Sequence, residues 1–197
     1  MDDQSERPMR RKDRESPEED ARELLIRGQY GFLSLVGPAG EPYGVPISYV
    51  YQNGEIFFHS APDGRKVDYL CGSARASFCV VGATELLPAQ FATRYQSAIV
   101  SGQVRELVGE EKIQALVWLV EKYSAEFLQE GLEYIASDQG KTRVFALHIR
   151  HLSGKRRACA NAVSPLLGEP VPRTRTPSPG SPAAPPFPPE PSSVRPR

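Results

Sequence analysis

A chain of 197 residues with 40% apolar and 24% charged residues has room for one domain with appendages. Its 24 basic and 24 acidic residues cancel to a formal net charge of +0, which excludes the strongly basic field of a nucleic-acid-binding surface. No run of about 18 apolar residues and no signal-like leader is visible, so the chain is expected to be cytoplasmic, with no membrane partner.

Composition divides the chain in three. Twelve of the nineteen prolines lie in residues 165–197, and the stretch Pro-Ala-Ala-Pro-Pro-Phe-Pro-Pro-Glu-Pro supports neither helix nor ladder. Residues 161–197 are therefore expected to form a disordered, Pro-rich tail. At the other end, Arg7, Arg10, Arg11, Lys12 and Arg14 are offset by Asp2, Asp3, Glu6, Asp13 and Glu15, which reads as a polar arm over 1–15. Residues 16–160 remain as the globular domain. Cys71, Cys79 and Cys159 are widely spaced, without the C-x-x-C of a zinc or redox dithiol site, so no metal is expected.

Ser16-Pro17-Glu18-Glu19 reads as a helix start with Ser16 as N-cap, and Ala21, Leu24, Leu25 and the closing Gly28 complete a short amphipathic helix. Residues 30–36 form a strand ending at Gly37-Pro38-Ala39-Gly40. Residues 42–51 form a second, with Tyr43, Val45, Ile47, Tyr49 and Tyr51 on one face. Pro46 lacks an N–H, so this strand is either bulged or at a sheet edge there. Asn53-Gly54 predicts a two-residue hairpin into a strand over 55–61. A short helix over 64–73, a strand over 74–82, a loop over 83–93 and a long strand over 94–108 follow. Ile113, Leu116, Val117 and Val120 mark a helix over 110–123, and the last strand covers 143–152. Six strands, mostly hairpin-linked, predict a mainly β (α+β) domain, a six-stranded antiparallel Greek-key barrel rather than a doubly wound βαβ sheet.

The chemistry concentrates in residues 56–66, Ile-Phe-Phe-His-Ser-Ala-Pro-Asp-Gly-Arg-Lys. A strand delivers His59 and Ser60, a turn follows, and Arg65 and Lys66 open a helix. Two cations at a helix N-terminus oppose the dipole, so an anion nearby accounts for them, and a phosphate fits. A lone strand histidine is otherwise often a satisfied core residue, and both readings of His59 stand. Thr93-Arg94-Tyr95-Gln96-Ser97 adds a further cation, with Tyr95 and Ser97 on one face. This reads equally as a ring-lining surface or as an ordinary strand with a paired arginine.

Taken together, these blocks resemble a known family. Met9-Arg10-Arg11-Lys12-Asp13-Arg14-Glu15, Pro42-Tyr43-Gly44-Val45-Pro46-Ile47-Ser48-Tyr49, Phe57-Phe58-His59-Ser60-Ala61 with Gly64-Arg65-Lys66-Val67-Asp68, Thr93-Arg94-Tyr95-Gln96-Ser97-Ala98-Ile99-Val100-Ser101-Gly102 and Ser153-Gly154-Lys155 come in this order. They are similar to the flavin-nucleotide-binding pyridoxamine 5'-phosphate oxidase-like family, in the branch related to 5-nitroimidazole reductases, over residues 9–157.

The resemblance implies an FMN-binding split β-barrel, homodimeric, with two FMN sites at the subunit interface. Carried over residue by residue, Lys66 with Arg65 would bind the FMN phosphate. Val45, Pro46 and Ile47 would meet the flavin through backbone groups. Phe58, His59 and Ser60 would lie along the isoalloxazine and ribityl chain, Tyr95 and Ser97 would contribute from the long strand, and Lys155 would approach late in the chain. Arg94 joins them as a phosphate candidate on its charge alone. His59 would be the catalytic residue beside the acceptor. Ala98 departs from the family, which often has a small aliphatic residue such as Val after the Tyr-x-Ser. No second phosphate site is legible, so pyridoxamine phosphate oxidation itself is not expected. The expected function is an FMN-dependent oxidoreductase reducing a small acceptor such as a nitroaromatic. The alternative is a non-catalytic binding protein for flavin, haem or a deazaflavin.

Overall fold

The computed structural model of the protein describes residues 8–157, and of residues 138 and 139 the backbone only. Cys159 and the Pro-rich segment 161–197 lie outside the described residues, as do the first seven residues of the polar arm. Along the chain the elements are β1 (Glu15–Ser16), α1 (Glu18–Arg27), β2 (Tyr30–Val36), β3 (Pro42–Ser48), β4 (Val50–Gln52), β5 (Glu55–Ser60), α2 (Arg65–Gly72), β6 (Arg75–Val81), β7 (Glu85–Leu87), β8 (Ala92–Leu107), α3 (Gly109–Tyr123), α4 (Leu128–Asp138) and β9 (Arg143–Arg157).

Alternation in the sequence becomes alternation in burial. β2 buries Gly31, Leu33 and Leu35 and exposes Tyr30, Phe32, Ser34 and Val36. The Asn53-Gly54 hairpin forms as expected. Asn53 at φ 51° and Gly54 at φ 80° take the left-handed pair of a type I′ turn, which matches the twist of β4 and β5.

Strand pairing is antiparallel throughout the described residues, in the order β3-β2-β6-β8-β9-β5-β4, with β1 added on β9 and β7 on β8. The two outermost strands, β3 and β4, are separated in sequence by Tyr49 alone. A sheet whose edges are one residue apart in the chain has to curl until those edges meet, which produces a barrel. No ladder joins β3 to β4, so the curl is split at that seam. The architecture is mainly antiparallel β with four helices, consistent with a split barrel.

Nine strands replace the six expected, for three physical reasons. The anticipated strand 42–51 breaks at Tyr49, which turns fully inward and donates its hydroxyl to the Leu25 carbonyl at 2.7 Å. Ser16 is not an N-cap. It sits in β1 opposite Gly154, and Pro17 occupies the cap position. The expected loop 83–93 contains β7, folded back on β8. The final strand also runs five residues further than expected, because β8 continues to pair with it as far as Arg157. Pro46 does not lie in a bulge: the β2–β3 register is continuous from Tyr30↔Ser48 to Val36↔Pro42, and β3 is an edge strand, where a missing N–H leaves no ladder bond unmade.

Two apolar clusters hold the domain together. The barrel interior packs Leu33, Tyr49, Ile56, Phe58, Phe78, Val80, Val100 and Leu147, with Leu24 and Leu25 of α1 joining the same cluster. A second cluster lies outside the barrel, where Ala115 and Leu119 of α3 cover Val50, Phe57, Val144 and Ala146. Each fully buried large side chain contributes about 1.5–3 kcal/mol.

Candidate functional site

The period of two along β5 decides which residues can meet a ligand. Ile56, Phe58 and Ser60 face the interior, and Phe57 and His59 face out. Phe58 is a core residue, fully buried and stacked on Phe145 at a centroid distance of 5.6 Å, so its side chain cannot lie along an exterior ring as expected. Ser60 is buried too, opposite Arg143. Phe57 is covered by Trp118 of α3 at 5.1 Å, whereas His59, one pleat further, reaches solvent at the strand end.

After the 61–64 turn, Gly64 adopts φ 110° and accepts the first amide bonds of α2 from Val67 at 2.8 Å and Asp68 at 3.1 Å. Arg65, the first helical residue, lays its guanidinium over the Tyr43 ring at 5.6 Å. Lys66 is half-buried and forms no ion pair with a described carboxylate. Burial lowers its pKa from the usual lysine value. His59 stands close enough to feel it: burial first, then the Lys66 ammonium, hold the imidazole pKa below its ordinary value and so favour the neutral ring. The ring is solvent-reachable, yet the surrounding protein displaces enough water to produce the burial effect.

Tyr95, Ser97, Ile99 and Ser101 share the outer face of β8, while Gln96, Ala98 and Val100 point inward. Across the ladder, Arg157, Lys155, Ser153 and His151 of β9 oppose them. A cavity of about 490 Å³ opens on this face, bounded by Glu15, Ser16 and Glu18 as well as Ser101, His151 and Ser153. The Ser16 hydroxyl in its wall is buried without a hydrogen-bond partner among the described residues. Arg94 takes no part in this face. It is ion-paired with Glu85 across the β7–β8 hairpin, as the paired-arginine reading has it.

The expected site residues thus fall into two sets. His59 pairs with Val144 and Ser97 with Lys155, eleven residues apart on β9. That is roughly 36 Å measured along the strand, at about 3.3 Å per residue. Within one chain, His59, Ser60, Arg65 and Lys66 are together, and Tyr95, Ser97 and Lys155 are together elsewhere. Val45 and Ile47 on β3 turn their side chains to the core and leave the backbone at the sheet edge, while Pro46 is exposed on the outer face opposite Phe32.

Two features escaped the sequence reading. Lys122 donates to the carbonyls of Gly28 at 2.7 Å and Tyr49 at 2.9 Å and sits over the Tyr49 ring at 4.0 Å. Its neighbour Tyr123 accepts from the Tyr49 amide at 2.8 Å. Together they pin the seam between β3 and β4. The second feature is a cavity of about 420 Å³ between His59 and Ser48 on the barrel and α3 and α4 above it. The apolar stripe of α3 was a legible signal for one wall; the other belongs to α4, which no capping motif announces.

Comparison with curated proteins finds no match. Among solved structures, the fold is similar to a candidate 5-nitroimidazole antibiotic resistance protein from Bacteroides thetaiotaomicron, at 20% identity over 72% of this chain and 84% of that one, with a TM-score of 0.58. It is similar to a FAD-binding protein from Mesorhizobium loti, at 20% identity over 74% and 98% of the two chains and a TM-score of 0.53. It is similar as well to a FAD and haem binding protein from Mycobacterium smegmatis, at 21% identity, 74% of each chain and a TM-score of 0.65. At these identities the likeness is one of fold. The family model described as pyridoxamine 5'-phosphate oxidase matches residues 17–156, which take in the barrel, both sets of site residues and all four helices. The chain belongs to the pyridoxamine 5'-phosphate oxidase family.

Proposed function

We propose that the protein binds FMN between two copies of the chain and acts as an oxidoreductase toward a small acceptor. The observation that carries this reading is Lys66: a half-buried ammonium at a helix N-terminus, without a carboxylate partner among the described residues, beside a histidine whose charge it suppresses. Such a cation suits a dianionic phosphate, and the first-turn amides of α2 that Gly64 does not take, those of Arg65 and Lys66, add to it. The residues present fit the phosphate end of the cofactor within one chain.

The ring end explains the second copy. Tyr95 and Ser97 on β8 and Lys155 opposite them on β9 lie too far along the ladder to meet the Lys66 phosphate site of their own chain, so a homodimer is the arrangement that brings both sets to one flavin. The exposed outer face supports it: Pro46, Phe32, Cys79 and Ile99 run in register across four strands as an apolar stripe open to a partner.

Bound FMN supplies two-electron redox exchange with a nicotinamide or another donor. The chain's own residues do the rest. Lys66 and Arg65 hold the phosphate, the β3 backbone at 45–47 offers amides and carbonyls at the sheet edge, and neutral His59 orients the acceptor and holds or gives up a proton at its ring nitrogens. Flavin-free protein titrated with FMN, followed by nitroaromatic reduction with His59→Ala as comparison, tests the proposal. No uptake of FMN overturns it, and unchanged turnover in His59→Ala removes the histidine from the reaction.

The second reading, a binding protein without turnover, is favoured by one observation: the fold is shared with a protein that binds haem as well as FAD. An exposed, neutral imidazole is also a haem ligand by chemistry. The absorption spectrum of the purified protein, with added FMN, deazaflavin or haem, separates these cofactors.

A further inference from the structure

We propose that the cavity between His59 and the α3–α4 pair binds a neutral, mostly apolar ring compound carrying one hydrogen-bond acceptor. This goes beyond the flavin reading, because the cavity lies within one chain and uses none of the proposed FMN contacts except His59. Its volume of about 420 Å³ falls in the range of small-molecule sites. Leu116, Leu119 and Val120 of α3 face Tyr134 and Ile135 of α4, so the walls are aliphatic and aromatic. Polar groups come from both sides: Ser48 and His59 on the barrel, the hydroxyls of Tyr123, Ser124 and Tyr134 on the helical side, and Thr142 just before β9.

Charge excludes as much as shape selects. Among the described residues no Asp, Glu, Lys or Arg lines the cavity, so an ionised ligand would lose water there without gaining a partner among them, a loss of affinity that a neutral ring escapes. Among the described lining residues, His59 alone carries a side-chain N–H to offer to a carbonyl, nitro or N-oxide oxygen.

The cavity is built rather than left over. A Cβ added at Gly131 would come within 2.5 Å of a Val120 methyl, so the bare glycine lets α4 settle against α3 at the point where Val120 enters the wall. The position of α4, and with it the cavity's width, depends on that contact.

The probe is N-phenyl-1-naphthylamine, a neutral ring compound whose fluorescence rises on leaving water, titrated into the full chain without flavin. Saturable binding is expected, weakened at least tenfold by Thr142→Trp, which narrows the rim without entering the core. Ser124→Trp, on the opposite rim, repeats the test if the first variant melts early. Nitrobenzene should displace the probe from wild type better than toluene, and His59→Phe should abolish that preference. Absence of saturable binding, indifference to both tryptophans, or equal competition by nitrobenzene and toluene would each overturn the proposal. FMN uptake measured on the same samples keeps the two readings apart. Probe binding without FMN uptake refutes the flavin reading alone; FMN uptake without probe binding refutes this one alone.

Discussion

Replacing Lys66 by methionine separates what the ammonium does for the fold from what it does for a ligand. Burial lowers its pKa, so the charged form is held at a cost to the flavin-free protein. Methionine keeps the stem and removes the charge, and the flavin-free variant should melt at the same temperature as wild type or higher. Toward FMN the sign reverses. A charge-assisted hydrogen bond to phosphate contributes about 1.5–3 kcal/mol, which at about 1.4 kcal/mol per decade is roughly a 10- to 140-fold rise in Kd. Arg65 stands next to it and retains part of the attraction, so the lower half of that range is expected, and Lys66→Arg should lose least. The assay is quenching of flavin fluorescence on titration, repeated at low and high salt. Wild type should lose affinity with salt more steeply than Lys66→Met. Wild-type affinity should also fall as pH rises through the lowered lysine pKa, a slope absent from the variant. An unchanged Kd, or a loss of binding matched by early melting of the flavin-free variant, would refute the reasoning.

Other outcomes follow from groups described above. Removing the Lys66 charge should raise the His59 pKa toward 6.5, read from the imidazole Hε1 shift by NMR, because its repulsion is one of the two causes of the depression. The same depression means that unfolded chain binds the proton before folded chain does. Wild type should therefore lose stability relative to His59→Gln as pH falls below 6.5, in paired melting curves. Lys122→Met takes the lysine donor from the Gly28 carbonyl, while the Tyr49 carbonyl keeps the Tyr123 hydroxyl, and should cost about 1–3 kcal/mol in urea denaturation. Burial pulls Lys122 down to about 8 from its ordinary 10.5, so between those values the unfolded chain holds more protons and the stability gap in favour of wild type should widen with pH. Gly54→Ala places a Cβ at φ 80° and should cost about 1 kcal/mol by thermal melting.

Legibility in the sequence tracked how local the cause of each element is. β2 has the predicted bounds because strict alternation over seven residues has one half-buried solution, and the β4–β5 hairpin follows from two residues that accept left-handed backbone. β1 and β7 are two and three residues long and exist because β9 and β8 offer them an edge, which no local period announces. α4 carries Gly131 in its interior, a penalty of about 1 kcal/mol in propensity, and its contact with Val120 outweighs that. In the site, Lys66 and His59 were legible as chemistry and stand together in space. Phe58 was misplaced, although adjacency to an outward His59 already implied an inward ring. Lys122 was missed because a single lysine near a helix end looks solvated until the carbonyls beneath it are known.

The seam at Tyr49 also sets an order of events. Its two edges are held by Tyr123, 74 residues downstream, and β5 must wait for β9, more than 80 residues away, to gain its second neighbour. Local hairpins can form while most of the chain is still emerging, but closure cannot, and high sequence separation slows it further. Until α3 docks, β3 and β4 present unpaired backbone that another chain can adopt. α3 is thereby a late latch against intermolecular strand exchange, and Tyr123→Phe should reveal it as a larger loss of refolding yield at high protein concentration than at low.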